Sequence, residues 1–178
     1  MELPINQIIQ GNCLEVMKTF PDKSIDLVLT DPPYGIDFQS GYRFKKYEKI
    51  IGDDRFPIEI FNDLFRIARN AVYVFCRWDN LRDLPIPKSV LAWVKNNWSM
   101  GDLLHEHGRQ WEAICFYPQE DHKFIKRIPD VIFEKRTGNN LHPTEKPVGL
   151  LKEIINANEG QIIFDPFVPR GIRPVMFS

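Results

Sequence analysis

From Ser24 to Thr30 the chain reads Ser-Ile-Asp-Leu-Val-Leu-Thr, and it runs straight into Asp31-Pro32-Pro33-Tyr34. The first seven residues are β-branched or apolar almost throughout. That is the pattern of a strand buried on both faces of a parallel sheet, not of one alternating between core and water. Two consecutive prolines cannot continue a hydrogen-bonded ladder, so the strand has to end there in a rigid turn. Parallel strands need crossovers and helices on both faces, which commits the chain to an α/β fold with a largely parallel, doubly wound sheet. Such sheets bind ligands beyond the carboxyl ends of their strands, and Asp31 stands at one of those ends.

The rest of the chain is consistent with this frame. The spacing predicts a short strand over Ile5–Ile9, a short helix over Leu14–Phe20 and a helix over Pro57–Asn70, with Ile58, Phe61, Leu64, Phe65 and Ala68 on one face. Strands are expected at Ala71–Cys76, Val90–Val94, Glu112–Tyr117 and Gln161–Phe164. A helix is expected over Pro147–Asn158, with Pro147 in its first turn and Thr144 as its cap. The stretch from Pro118 to His142 reads as irregular. At 178 residues this is one domain, with residues 96–141 a candidate recognition region within it.

Charge limits the choice of partners. The 23 Lys and Arg against 24 Asp and Glu give a net charge of -1, so nucleic acid cannot be held by a global basic field. Any such contact has to be local, and two aromatic-interleaved basic stretches qualify: Gly41–Lys49, with Arg43, Lys45 and Lys46, and His122–Arg136, with Lys123, Lys126 and Arg127. Both also read as ordinary solvated surface. No apolar run reaches membrane length and the N-terminus has no signal-peptide pattern, which makes the cytoplasm the expected location. The three cysteines are far apart and read as buried thiols, and His105-Glu106-His107 lacks a third ligand, so no metal is expected.

The Asp31–Tyr34 turn has chemical content. The prolines fix the backbone so that the Asp31 carboxylate and the Pro32 carbonyl can present two acceptors to one small group, while Tyr34 offers an aromatic face. An exocyclic base amine needs such a partner. Its lone pair is delocalised into the ring, and acceptors on both hydrogens favour the tetrahedral nitrogen that attacks a methyl group. Stacking would hold a base flipped out of its helix. The same four residues also read simply as a rigid turn after a strand.

From about Gln7 to Phe167 the chain resembles the β class of DNA amino-methyltransferases. The matching pieces are Gly11-Asn12-Cys13, the run from Asp31 to Phe38, Phe75-Cys76-Arg77-Trp78, Met100-Gly101-Asp102, the segment from His142 to Pro147 and Asp165-Pro166-Phe167, in that order. The resemblance implies a Rossmann-like S-adenosylmethionine-dependent methyltransferase fold that acts on double-stranded DNA, of a restriction-modification or prophage type. It implies a catalytic set of Asp31, Pro32, Pro33 and Tyr34. The cofactor residues it implies are Asn12, Cys13, Asp31, Lys146, Asp165, Pro166 and Phe167. A leading Asp in the motif is commoner for adenine N6 than for cytosine N4, which favours adenine. Cytosine C5 chemistry is excluded, because no cysteine has the Pro-Cys setting of its thiolate nucleophile. Amine methylation of RNA or protein shares the same catalytic turn.

Two departures stand beside the resemblance. Asn12 occupies a place where the family usually has Asp, although it still accepts a hydrogen bond. After Phe167 the chain reads Val168-Pro169-Arg170-Gly171-Ile172-Arg173-Pro174 in place of a glycine-rich turn and helix start. On sequence alone this predicts a sheet incomplete at the C-terminus, a damaged cofactor half, and, as the rival to an active enzyme, a remnant that binds DNA without turnover.

Overall fold

The computed structural model describes residues 3–35, 55–99, 103–137 and 145–167. Their elements are α1 (Cys13–Lys18), β1 (Ile25–Thr30), α2 (Phe61–Ile67), β2 (Ala68–Cys76), β3 (Ser89–Ser99), β4 (Arg109–Pro118), β5 (Val131–Phe133), α3 (Val148–Asn156) and β6 (Ile163–Phe164). The strands form one sheet in the order β5-β3-β4-β2-β1-β6. β1 pairs in parallel with β2 and β6, β3 with β5, and β4 runs antiparallel to both of its neighbours. All the described strands except β4 therefore point the same way, a mixed but mostly parallel sheet of the Rossmann-like kind.

Burial explains the two-sided covering. β1 is buried at every position, as its unbroken apolar run requires. On one face, Met17 of α1 and Phe61, Leu64 and Ile67 of α2 pack with Val28, Val72, Val74 and Cys115. On the other face, Leu150 and Ile154 of α3 pack with Leu27, Tyr73, Phe75, Ile114 and Phe116. Alternate strand residues feed opposite cores, so one sheet builds two hydrophobic layers.

Several boundaries differ from the sequence expectation. Residues 5–9 form no strand: Asn6 takes a left-handed φ of 58°, a turn conformation, and Ile5, Ile8 and Ile9 are exposed. α2 stops at Ile67 instead of Asn70, because Ala68 pairs with Ile25 and the chain passes directly into β2. The opening of the expected Pro57 helix is a short 3-10 turn, Ile58–Ile60. β3 and β4 run well beyond Val90–Val94 and Glu112–Tyr117, and β5 lies inside the stretch expected to be irregular, so residues 96–141 contribute two whole strands to the sheet. Pro147 is the N-cap of α3, one position before its first turn, while Thr144 lies outside the described residues.

Candidate active site at the carboxyl ends of the strands

β1, β2, β3, β5 and β6 deliver their carboxyl ends to one rim of the sheet. β4 starts at that rim because it runs the other way, and α3 begins there because it crosses back to β6. The rim therefore collects Asp31 and Tyr34 after β1, Lys95 late in β3, Glu112 early in β4, Lys146 just before α3 and Asp165 just after β6.

These groups form a connected row of alternating charge. The Tyr34 hydroxyl donates to Asp31 Oδ1 at 2.6 Å, and Lys146 Nζ donates to Asp31 Oδ2 at 2.6 Å. Lys146 Nζ also lies 3.4 Å from Glu112 Oε2, and Glu112 is bonded in turn to Lys95. The Lys146 side chain is only 8% exposed, and its ammonium sits 5.2 Å from the centroid of the Phe75 ring and 5.5 Å from that of Tyr34. A buried ammonium is stable there because anions and ring faces replace its water. The proton affinities follow from these contacts. Burial lowers that of Lys146, but Asp31 and Glu112 outweigh it and hold the pKa above the ordinary lysine value. Burial raises the Glu112 carboxyl, yet Lys146 and Lys95 together hold it below the usual glutamate value. Burial, then the charges of Asp31 and Glu112, push the Tyr34 phenol well up, so it stays a neutral donor.

Asp165 lies beside this row. Its Oδ1 accepts from Thr30 Oγ1 at 2.7 Å and from the Phe167 amide at 3.0 Å, while Oδ2 meets no donor among the described residues. Burial raises its pKa to about 6 despite those two bonds. The loop is braced from β2: Asn80 accepts from the Arg77 amide through Oδ1 and donates through Nδ2 to the Tyr34 carbonyl at 3.2 Å. Gly35 closes the turn at φ 74°, where a Cβ would come within 2.8 Å of the Arg55 backbone, so both conformation and space ask for glycine.

The other expected residues fall around this centre or away from it. Pro32 is buried and Pro33 half-buried. Asn12 caps α1, its side chain accepting from the Leu14 amide at 2.9 Å, and Cys13 is half-buried with its thiol pushed up by burial. Gly11 and Asn12 border an open, mainly apolar hollow of about 510 Å³ with Leu3, Ile9, Val16 and Phe20. Phe20 meets Phe164, the residue before Asp165, edge to face at 5.2 Å. Phe167 packs on the core beneath the rim, and Pro166 lies in the turn that leads to it. Lys123, Lys126 and Arg127 are not brought to this rim: they are exposed at the opposite end of the sheet, where the Ile125 amide bonds the Ala157 carbonyl beyond the end of α3. Arg43, Lys45, Lys46, Met100–Asp102, His142–Thr144 and the Val168–Ser178 tail lie outside the described residues.

Sequence reasoning missed Glu112 and Lys95. The signal was present: Glu112 is a lone charge beside the apolar run Ala113–Tyr117, and a charge in a sheet interior demands a partner. The described residues gather no group of three or more His, Cys, Asp and Glu side chains fit for a metal, and no described helix is long and apolar enough to cross a membrane.

The donor set fits S-adenosylmethionine. That ligand carries an ammonium and a sulfonium, and the rim offers the open Oδ2 of Asp165 and a buried Glu145 Oε2 without a hydrogen-bond partner among the described residues. The hollow beside Asn12 is mainly apolar in lining and large enough to admit a purine.

Known proteins agree with this picture. No protein-family model matches the chain. YubD of Escherichia coli K12, described as a methylase, is 30% identical across 94% of this chain and 77% of its own length. The DNA adenine methyltransferase YhdJ of the same organism is 24% identical across 90% of this chain and 70% of its own. Among solved structures, the M1.HpyAVI complex with S-adenosylmethionine superposes with a TM-score of 0.62 at 20% identity, covering 90% of this chain and 82% of that one. With the fold shared and a relative 30% identical matched over most of both lengths, the chain belongs to the S-adenosylmethionine-dependent DNA amino-methyltransferases.

Proposed function

We propose that the chain methylates the N6 amine of an adenine flipped out of double-stranded DNA, with Asp31 and Tyr34 as the catalytic pair. The observation that carries this reading is the Asp31 carboxylate at the end of β1, held by Tyr34 and Lys146 but with acceptor capacity left over. Each carboxylate oxygen has two acceptor sites, and each has one donor here.

S-adenosylmethionine, when bound, supplies an electrophilic methyl group on a positively charged sulfur. Asp165 and Asn12 would hold it, with Cys13, Pro166 and Phe167 shaping the wall and Lys146 setting the charge beside it. Asp31 accepts one hydrogen of the substrate amine and the Pro32 carbonyl accepts the other, which draws the nitrogen out of conjugation and exposes its lone pair. Pro32 and Pro33 keep those two acceptors at a fixed spacing. Tyr34 offers its ring to the base while its neutral hydroxyl stays on Asp31. As the nitrogen gains its methyl group, the surplus proton leaves along its hydrogen bond to Asp31. Adenine is favoured over cytosine by the leading Asp of the motif and by the relative named for adenine.

Two measurements test the reading. Calorimetric titration with S-adenosylmethionine is expected to give micromolar binding; a folded sample that binds nothing favours the inactive remnant. Methyl transfer to duplex DNA, followed by nucleoside analysis, is expected to yield N6-methyladenine, and N4-methylcytosine would correct the target base. Asp31→Ala is expected to abolish transfer while leaving thermal unfolding nearly unchanged, and retained transfer would remove Asp31 from the mechanism.

A further inference from the structure

We propose that Glu112 is a positioning residue for methyl transfer: it shares Lys146 with Asp31, so that Asp31 keeps capacity for the substrate amine. This rests on the role given to Asp31 above. Glu112 lies across the sheet from that loop, near the start of β4, opposite Trp93 of β3. Its two oxygens divide the work. Oε1 holds Lys95, while Oε2 lies 3.4 Å from Lys146 Nζ and accepts from the Tyr34 hydroxyl at 3.4 Å. Glu112 thus touches both groups that hold Asp31 and does not itself bond Asp31.

Without this carboxylate the row fails in a definite way. Lys95 and Lys146 would face each other without the Glu112 carboxylate between them, and Lys146 would lean more heavily on Asp31. A tighter Lys146–Asp31 pair spends acceptor capacity that the amine needs, and drains the negative charge that favours its pyramidal form. The groups acting on Lys146 include Asp31 and Tyr34 from the β1 loop, Glu112 from β4, Lys95 from β3 and Asp165 after β6, with Arg136 after β5 acting on Lys95. Among them, Glu112 is a carboxylate that can be neutralised without substituting a residue of the loop that receives the base.

The test reads the proton affinity of Lys146 directly. Lysine labelled with carbon-13 and nitrogen-15 is titrated by NMR in the wild type, Glu112→Asp and Glu112→Gln, with Lys146→Met giving the assignment. The expected Lys146 midpoint falls in that order, by about one pH unit or more between wild type and the glutamine variant, a tenfold loss of proton affinity. A midpoint that neither variant moves overturns the proposal. Should the glutamine variant fail to fold, the aspartate variant with its shortened carboxylate decides alone.

Kinetics gives a second arm. Glu112→Gln is expected to lower kcat roughly tenfold, to leave KM for S-adenosylmethionine within about twofold, and to bring the alkaline fall of the rate to lower pH. Glu112→Asp is expected to recover part of the loss. A uniform loss with the alkaline limb unmoved would mark Glu112 as merely structural. If the wild type transfers no methyl group to DNA, the proposed function falls, and the lysine titration still decides whether Glu112 positions Lys146.

Discussion

At the scale of single residues, the rim is governed by how few of its charges see water. Asp165 shows this most directly, with a pKa raised to about 6 by burial. For a carboxyl whose folded value lies above its unfolded value near 4, the folded chain keeps a proton that the unfolded chain has released. Its contribution to stability is therefore full below about pH 4 and is lost as the pH rises through about 6. A cationic ligand has the opposite preference, since it binds the ionised form. Affinity for S-adenosylmethionine is thus expected to weaken as the pH falls below about 6, with proton release on binding near that value, measured by calorimetry in two buffers of different ionisation heat. A flat affinity from about pH 5 to 8 would separate Asp165 from the cofactor. Asp31 and Tyr34 were legible in the sequence because each adjoins a proline at the end of an apolar run, and Asp165 through the family resemblance of Asp165-Pro166-Phe167. Lys95 was not, because its partner lies on another strand; Glu112 showed only as a lone charge beside an apolar run, a signal that calls for a partner without naming it.

At the scale of elements, α3 ties the rim to the core. Lys146 precedes its N-cap, and two turns later Ile154 is fully buried against the sheet. Ile154→Ala is expected to cost about 2–5 kcal/mol, from lost burial plus the cavity left behind, measured by urea unfolding. A cost under about 0.5 kcal/mol would mean that α3 is not seated on the sheet as described. The helix itself was read correctly from its spacing, as was β1. The failures came where long-range pairing overrode local pattern. The β1–β2 ladder captured Ala68–Asn70 from a helical run, β5 is a three-residue strand made by its pairing with β3, and residues 5–9 are apolar enough for a strand but turn at Asn6. The antiparallel direction of β4 was equally hidden, since strand direction is not written in composition. It brings Glu112 to the rim that also holds Asp31 and Lys146.

At the scale of the whole molecule, charge and topology together decide where DNA can be held. With a net charge of -1 the chain has no long-range attraction for phosphate, so local contacts have to carry the affinity. Lys123, Lys126 and Arg127 were the natural candidates on composition, but β4 carries the chain from Glu112 at the rim to Pro118 at the opposite end. Six strand steps span roughly 20 Å, about two and a half times the screening length at physiological salt. A duplex engaged at the rim is therefore expected to ignore these charges. Lys123→Glu with Lys126→Glu should leave both the affinity for duplex DNA and its salt dependence unchanged, as followed by fluorescence anisotropy over a salt series. A duplex that wraps the molecule and contacts both lysines would instead flatten the slope of log affinity against log salt by about two, close to one unit per lost phosphate contact. That result would move the DNA path along the side of the sheet and bring the segment between β4 and β5 into the recognition surface.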